Sequence, residues 1–194
     1  MQELVAVMRR LRAECPWKRE QTHRSLVRYL LEEAYEAVEA LESGDDEHLR
    51  EELGDLLLQV VFHAAIAEER GAFDLDDVAR GITAKLRRRN PHVFGEQAAG
   101  GAEQLDAAAV NELWEQAKAT EKDREALDEG IPLALPALLY ADKVLDRLDR
   151  AGRPADVPTA PADLGERLLA LVEEARAAGT DPEQALREAA RRRL

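Results

Sequence analysis

The chain has 194 residues, of which 45% are hydrophobic, 35% charged and 4% aromatic, with a formal net charge of -13 and a sequence pI near 4.8. That length supports one domain with a sizeable core, or one domain plus an appendage, and leaves too little for two full domains. The acidic balance excludes a chain that tracks nucleic-acid phosphates, which needs a basic footprint, while a free nucleotide arriving with its metal is compatible.

Ala, Leu, Glu and Arg predominate, β-branched runs are few and no strand signal appears, so an all-α fold is expected. Helical periodicity runs over about 2–13 on Leu4, Met8 and Leu11, breaks at Cys15-Pro16, and resumes over about 25–42. Ser43-Gly44-Asp45-Asp46 reads as a turn, and a second helix follows to about Arg70, where Gly71 stops it. Asp74-Leu75-Asp76-Asp77 caps a further helix to Arg89, which Asn90-Pro91 ends. A small-residue loop at 97–101 leads to a helix over about 107–124 carrying Trp114 and Lys118.

Past Glu129-Gly130-Ile131-Pro132 the character changes: one helix over about 138–148, then Gly152, Pro154, Pro158 and Pro161, which read as a linker. The tail Leu164-Gly165-Glu166-Arg167-Leu168-Leu169-Ala170-Leu171-Val172 echoes Leu53-Gly54-Asp55-Leu56-Leu57-Leu58-Gln59-Val60-Val61, and Asp181 to Ala185 echoes Asp74 to Val78. We read it as the degraded remnant of a second repeat whose counterpart of the 25–42 helix has been displaced by the linker. The expected division is 1–128, 129–163 (helix and linker) and 164–194 (remnant).

The chemistry lies in two acidic patterns, Glu32-Glu33-x-x-Glu36 and Glu52-x-x-Asp55. Each places its carboxylates within one turn, and if the two helices pair, all five can meet. Oxygen-only ligands suit Mg²⁺ or Mn²⁺ bridging to substrate phosphates. On one Glu-rich helix such acids serve equally as a solvated face. The second helix argues otherwise, because Leu53, Leu56, Leu57, Leu58, Val60, Val61, Ala64 and Ile66 make it apolar nearly all round, the pattern of a buried helix. Carboxylates there need a cation or a basic partner. Lys85 and Arg89, one turn apart and in line with Val78 and Ile82, are expected to face inward, toward phosphate oxygens or toward the acids themselves.

Other signals are quieter. Cys15, the only cysteine, excludes an internal disulfide and a cysteine-based zinc site and fits a reducing compartment, with the cytoplasm as the expected location. No apolar run approaches membrane-spanning length, and the opening residues lack a signal-peptide pattern, so a soluble protein without a membrane partner is expected. His23, His48, His63 and His92 show no metal spacing and read as structural or surface residues. Trp17 and Trp114 have the character of core or interface residues as well as of base-stacking platforms. No Gly-x-x-x-x-Gly-Lys loop exists, and a ferritin-like di-iron site would need Glu-x-x-His pairs that the acidic helices do not offer.

Taken in order, Cys15-Pro16-Trp17, Gln21-Thr22-His23, Leu31-Glu32-Glu33-Ala34-Tyr35-Glu36, Glu52-Leu53-Gly54-Asp55-Leu56-Leu57 and Arg89-Asn90-Pro91-His92-Val93-Phe94 resemble the MazG nucleoside triphosphate pyrophosphohydrolases over about residues 1 to 130. The resemblance implies a MazG-like helical fold in which a four-helix bundle is completed by dimerisation or a higher homo-oligomer. It implies Mg²⁺, with Mn²⁺ as a substitute, held by Glu32, Glu33, Glu36, Glu52 and Asp55, and hydrolysis of a nucleoside triphosphate to the monophosphate and pyrophosphate. The same resemblance puts Lys85, Arg89, Trp114 and Lys118 at the substrate, with Trp17 as a further contact. Lys18 departs from the acid common after Cys-Pro-Trp, and Arg28 from a frequent proline, which touches the substrate-facing loop and not the acids. A non-catalytic nucleotide-binding or scaffold protein of the same fold is the alternative, against which the intact acids stand.

Overall fold

The computed structural model describes residues 1–95, 106–119, 126–127, 129–153 and 163–194, without the side chains of 107, 108, 115, 116, 118 and 119. The expected loop at 97–101, the last turn of the helix to Arg124 and the linker prolines Pro154, Pro158 and Pro161 lie outside the described residues. Among those described, every regular element is a helix. They fall into two compact units, Met1–Lys118 and Ala119–Leu194.

The first unit carries α1 (Gln2–Glu14), α2 (Pro16–Glu20), α3 (Val27–Ser43), α4 (Asp46–Glu69), α5 (Leu75–Arg89), α6 (Pro91–Phe94) and α7 (Ala107–Ala119). The short helices α2 and α6 start at the two prolines that break the longer helices, each proline at a first helical position where its missing N–H costs nothing. Gly44 closes α3 in the left-handed conformation, φ 71°, and Asp45 then caps α4, its carboxylate accepting from the Glu47 and His48 amides at 2.9 and 3.2 Å. This tight turn folds α4 back onto α3 as a helical hairpin. Asp74 and Asp77 form a reciprocal capping box at the start of α5.

The core is built on the second half of α4: Val61, Phe62, Ala65 and Ile66 pack with Met8 of α1 and Leu26 just before α3. Arg12 is buried beside it, donating to the Glu69 carboxylate at 2.7 Å and to the carbonyls of Lys18, Arg19 and Gln21, so one guanidinium fastens α2 to both long helices. All its partners are acceptors, which makes the burial of the charge tolerable.

Two expectations change here. α4 is buried over one face only: Leu53 is 51% exposed and Val60 42%. The α5 stripe is not inward-facing either, with Val78, Ile82 and Leu86 all exposed and Lys85 exposed beside them. Only Leu75, in its first turn, packs against the core, so within one chain the rest of the stripe has no surface to cover.

The second unit consists of α8 (Ala137–Arg150), α9 (Leu164–Ala177) and α10 (Pro182–Arg191), with Leu145 and Val172 buried. Asp163 caps α9 through the Glu166 amide at 2.9 Å, and Asp181 caps α10 through the Gln184 amide at 3.0 Å. Arg176 of α9 reaches across to α8, donating to Asp142 at 2.7 Å and Asp149 at 3.0 Å.

Candidate active site

The α3–α4 hairpin decides which acids meet. Residues on a helix advance by about 100°, so Glu33 shares the face of the buried Ala37 and Ala40, Glu36 flanks it, and Glu32 is turned outward by a quarter-turn or so. On α4, Glu52 and Asp55 lie two turns and one turn before Gln59, which is buried at 5% exposure and faces α3. Glu33, Glu36 and Glu52 consequently each offer a carboxylate oxygen, all within 4.8 Å of one another. Asp55 adds its charge to the same point, while Glu32 is exposed and outside the group.

The electrostatics are those of an anion cluster without a cation. Burial first, and then repulsion from Asp55, Glu36 and Glu52, raises the Glu33 carboxyl above its ordinary pKa, against a hydrogen bond from Gln59 that favours the ionised form. No lysine or arginine among the described residues forms an ion pair with Glu33, Glu36 or Glu52. His48, one turn before Glu52, places Nε2 3.2 Å from its carboxylate. An oxygen-only set of this size, self-repelling, with Glu33 and Glu52 half-buried and Glu36 exposed, fits a hard divalent cation.

The remaining candidates are distributed around the same unit. The Arg89 guanidinium lies over the Trp114 ring at 4.9 Å from its centroid, so these two form one platform between α5 and α7. Lys85 is exposed on α5. The Lys118 side chain lies outside the described residues. Trp17 is 48% exposed, stands edge-on to Tyr29 at 5.9 Å, and has the Lys18 ammonium 5.4 Å from its ring centre, with Phe62 at 5.2 Å on that ammonium's other approach. The unusual Lys18 thus covers core aromatic surface, and Arg28 lies likewise over Tyr29 at 5.1 Å.

Residues 21–94, which span α3, α4, α5 and both acidic patterns, match the MazG nucleotide pyrophosphohydrolase domain. A nucleoside triphosphate pyrophosphohydrolase/pyrophosphatase MazG of Thermotoga maritima is 38% identical over 98% of this chain and 81% of its own length. The chain belongs to the MazG family. An uncharacterized 26.1 kDa protein of Streptomyces cacaoi is 47% identical over 97% of this chain and 77% of its own length. The nucleoside triphosphate pyrophosphohydrolase of Escherichia coli is 43% identical over 77% of the chain, which spans only 57% of that longer protein. Among solved structures, a mazG-related protein from Thermotoga maritima superimposes with a TM-score of 0.51 at 26% identity, covering 61% of this chain and 99% of that one. The MazG-like helical fold is thereby established.

Within this MazG site, two contributors escaped the sequence reading. Gln59 appeared only inside the segment Leu53 to Val61 that the tail echoes, yet its amide is what steadies Glu33. His48 appeared as a surface histidine, although its i,i+4 spacing to Glu52 was a legible signal. Among the described residues no helix is long and apolar enough to cross a membrane.

Proposed function

We propose that this protein is a Mg²⁺-dependent nucleoside triphosphate pyrophosphohydrolase converting NTP and water to NMP and pyrophosphate. The single observation that carries the reading is the convergence of Glu33, Glu36 and Glu52 within 4.8 Å on a hairpin whose described residues give them no lysine or arginine partner. Glu33, Glu36, Glu52 and Asp55 would hold the cation, with Glu32 at the rim for a second ion or for its bound water. Mn²⁺ suits the same oxygen set.

When bound, the ion supplies charge neutralisation of the phosphates and a lowered pKa for coordinated water. The chain's own residues do the rest. Arg89, oriented on Trp114, and Lys85 on the same helix stripe donate to triphosphate oxygens, and Trp17 with Trp114 offers flat surface to the base. Water adds to the α-phosphorus, the bond from that phosphorus to the α,β-bridging oxygen breaks, and pyrophosphate leaves. The water's proton passes to a carboxylate of the cluster.

The exposed Leu31, Leu53, Val60, Val78, Ile82 and Leu86 are a large apolar surface for one chain to show water, and we propose that a second copy covers it, completing a four-helix bundle. The division into 1–128, a 129–163 helix and linker, and a 164–194 remnant belongs to the same proposal, as do a cytoplasmic location and a role in removing noncanonical nucleotides. The deciding experiment is product analysis with a panel of canonical, deoxy and damaged NTPs. Pyrophosphate plus NMP, dependent on Mg²⁺, is expected, whereas orthophosphate release or no turnover would discard the reaction. Light scattering at micromolar concentration should return at least a dimer mass.

A further inference from the structure

A chain of polar groups runs from the exposed Arg70 through the half-buried His23 and His63 of the first unit and has no place in the reaction just described. The two imidazoles of His23 and His63 lie nearly parallel, 9° apart in plane with centroids at 5.1 Å, and their Nδ1 atoms approach to 2.8 Å. The other nitrogen of His23, Nε2, is 2.9 Å from the Arg70 guanidinium. A guanidinium can only donate, so His23 Nε2 accepts and a neutral His23 carries its proton on Nδ1. That proton is donated to His63 Nδ1, which in turn forces the His63 proton onto Nε2.

His63 Nε2 is buried and has no hydrogen-bond partner. One turn earlier on α4, the Gln59 amide directs its NH₂ at Glu33, and its Oε1 is buried and without a partner as well. The tautomer argument therefore leaves a donor lacking an acceptor and an acceptor lacking a donor, on residues four apart on one helix face. Buried polar groups of this kind are seldom left unpaired, and two complementary ones in adjacent turns explain each other.

We propose that His63 Nε2–H serves Gln59 Oε1 through one bound water, and so closes a relay Arg70 to His23 to His63 to Gln59 that holds the Glu33 carboxylate in position for the cation. Every donor in it points the same way, from a fixed positive charge toward the anion cluster, so each bond polarises the next. His23, His63 and Gln59 are positioning residues in this scheme and touch neither ion nor substrate. Its functional half rests on Glu33 being a metal ligand; its tautomers do not. Partners beyond the ligands tune metal sites in this way, typically by about 10–100-fold in affinity.

The test has two arms. In the wild-type protein at neutral pH, histidine ¹⁵N NMR should find His23 protonated on Nδ1 and His63 on Nε2. A His63 protonated on Nδ1, or rapidly exchanging tautomers, overturns the relay irrespective of any metal. In the second arm, Mn²⁺ dissociation constants are measured for wild type, Gln59→Leu, His63→Phe and the double variant. Each single change should weaken binding by roughly 10–100-fold, with the double no worse than the weaker single. Additive losses would show two unrelated packing defects and overturn the coupling. A wild-type protein that ignores Mn²⁺ would sink the metal reading and the relay's function with it, while its tautomers still report on the relay's structure.

Discussion

The peptide Glu52-Leu53-Gly54-Asp55 in α4 and the peptide Asp163-Leu164-Gly165-Glu166 in α9 differ in little but the exchange of their acids, yet they do opposite jobs. In α4 the cap is supplied earlier, by Asp45, so Glu52 lies within the helix and its carboxylate is free to join Glu33 and Glu36. In α9 the helix starts at Leu164, so Asp163 is itself the cap and its oxygen is consumed by the Glu166 amide. Where a helix begins decides whether an acid is left for a cluster or used as a cap. The neighbours reinforce the contrast: Glu33, Glu36 and Glu52 of the first unit face one another, whereas Asp142 and Asp149 of the second are neutralised by the half-buried Arg176. The α3–α4 cluster keeps its acids without a lysine or arginine partner, and α8 and α9 use theirs to hold the second unit together.

The sharpest way to break this comparison is to remove charge from the first unit. Glu36→Gln or Asp55→Asn should lower pyrophosphate release by at least about 100-fold, beyond the range typical for an outer partner, while circular dichroism stays helical. Near-wild-type rates across a Mg²⁺ titration would show that these residues are not ligands. Mg²⁺ itself should raise the melting temperature of the wild type, since binding at about 100 times Kd stabilises by roughly 2.7 kcal/mol, and should do so less in either variant.

In the second unit the expected signs reverse. Arg176→Leu leaves Asp142 and Asp149 without their shared cation and should cost roughly 1–3 kcal/mol, whereas Asp163→Ala should cost about 1 kcal/mol as a lost cap. Neither should alter turnover per folded molecule. A chain ending at Glu129 should likewise keep Mg²⁺-dependent turnover; if it is folded and dimeric yet inactive, the tail contributes to the active site and the proposed remnant is no remnant.

Much of this was legible before any coordinates, for physical reasons that differ by element. The helices followed from periodicity and from caps such as Asp45 and Asp74, which are local in sequence and were read to within a few residues. The acid cluster was legible because the tight turn at Gly44 leaves α3 and α4 no option but to pair. What sequence could not supply was rotation and occupancy. Glu32 and Glu33 are neighbours in the motif, but a quarter-turn separates the outer face from the shared one. Lys85 and Arg89 share a stripe that periodicity marks as buried, but a single chain offers it nothing to bury against. The His23–His63 contact joins residues 40 apart, and no spacing rule could have paired them.

The smallest expected effect is on pH. Burial, and then the nearness of His23, lowers the His63 pKa below its ordinary value. The groups that face this pair are Arg70, which is cationic throughout, and the two imidazoles themselves. Because the folded state prefers neutral His63, the unfolded chain binds the proton first, at about pH 6.5. The stabilisation is therefore complete above that pH and is lost as pH falls from there through the depressed folded value. Acidification from pH 7.5 to 5.5 should lower the melting temperature of the first unit by a few degrees, and His63→Phe, though less stable at pH 7.5, should show a smaller drop over the same interval. The second unit has no histidine, so a transition assigned to it should move little between these pH values. An equal shift in both units would place the effect on general charge repulsion and not on the half-buried imidazole.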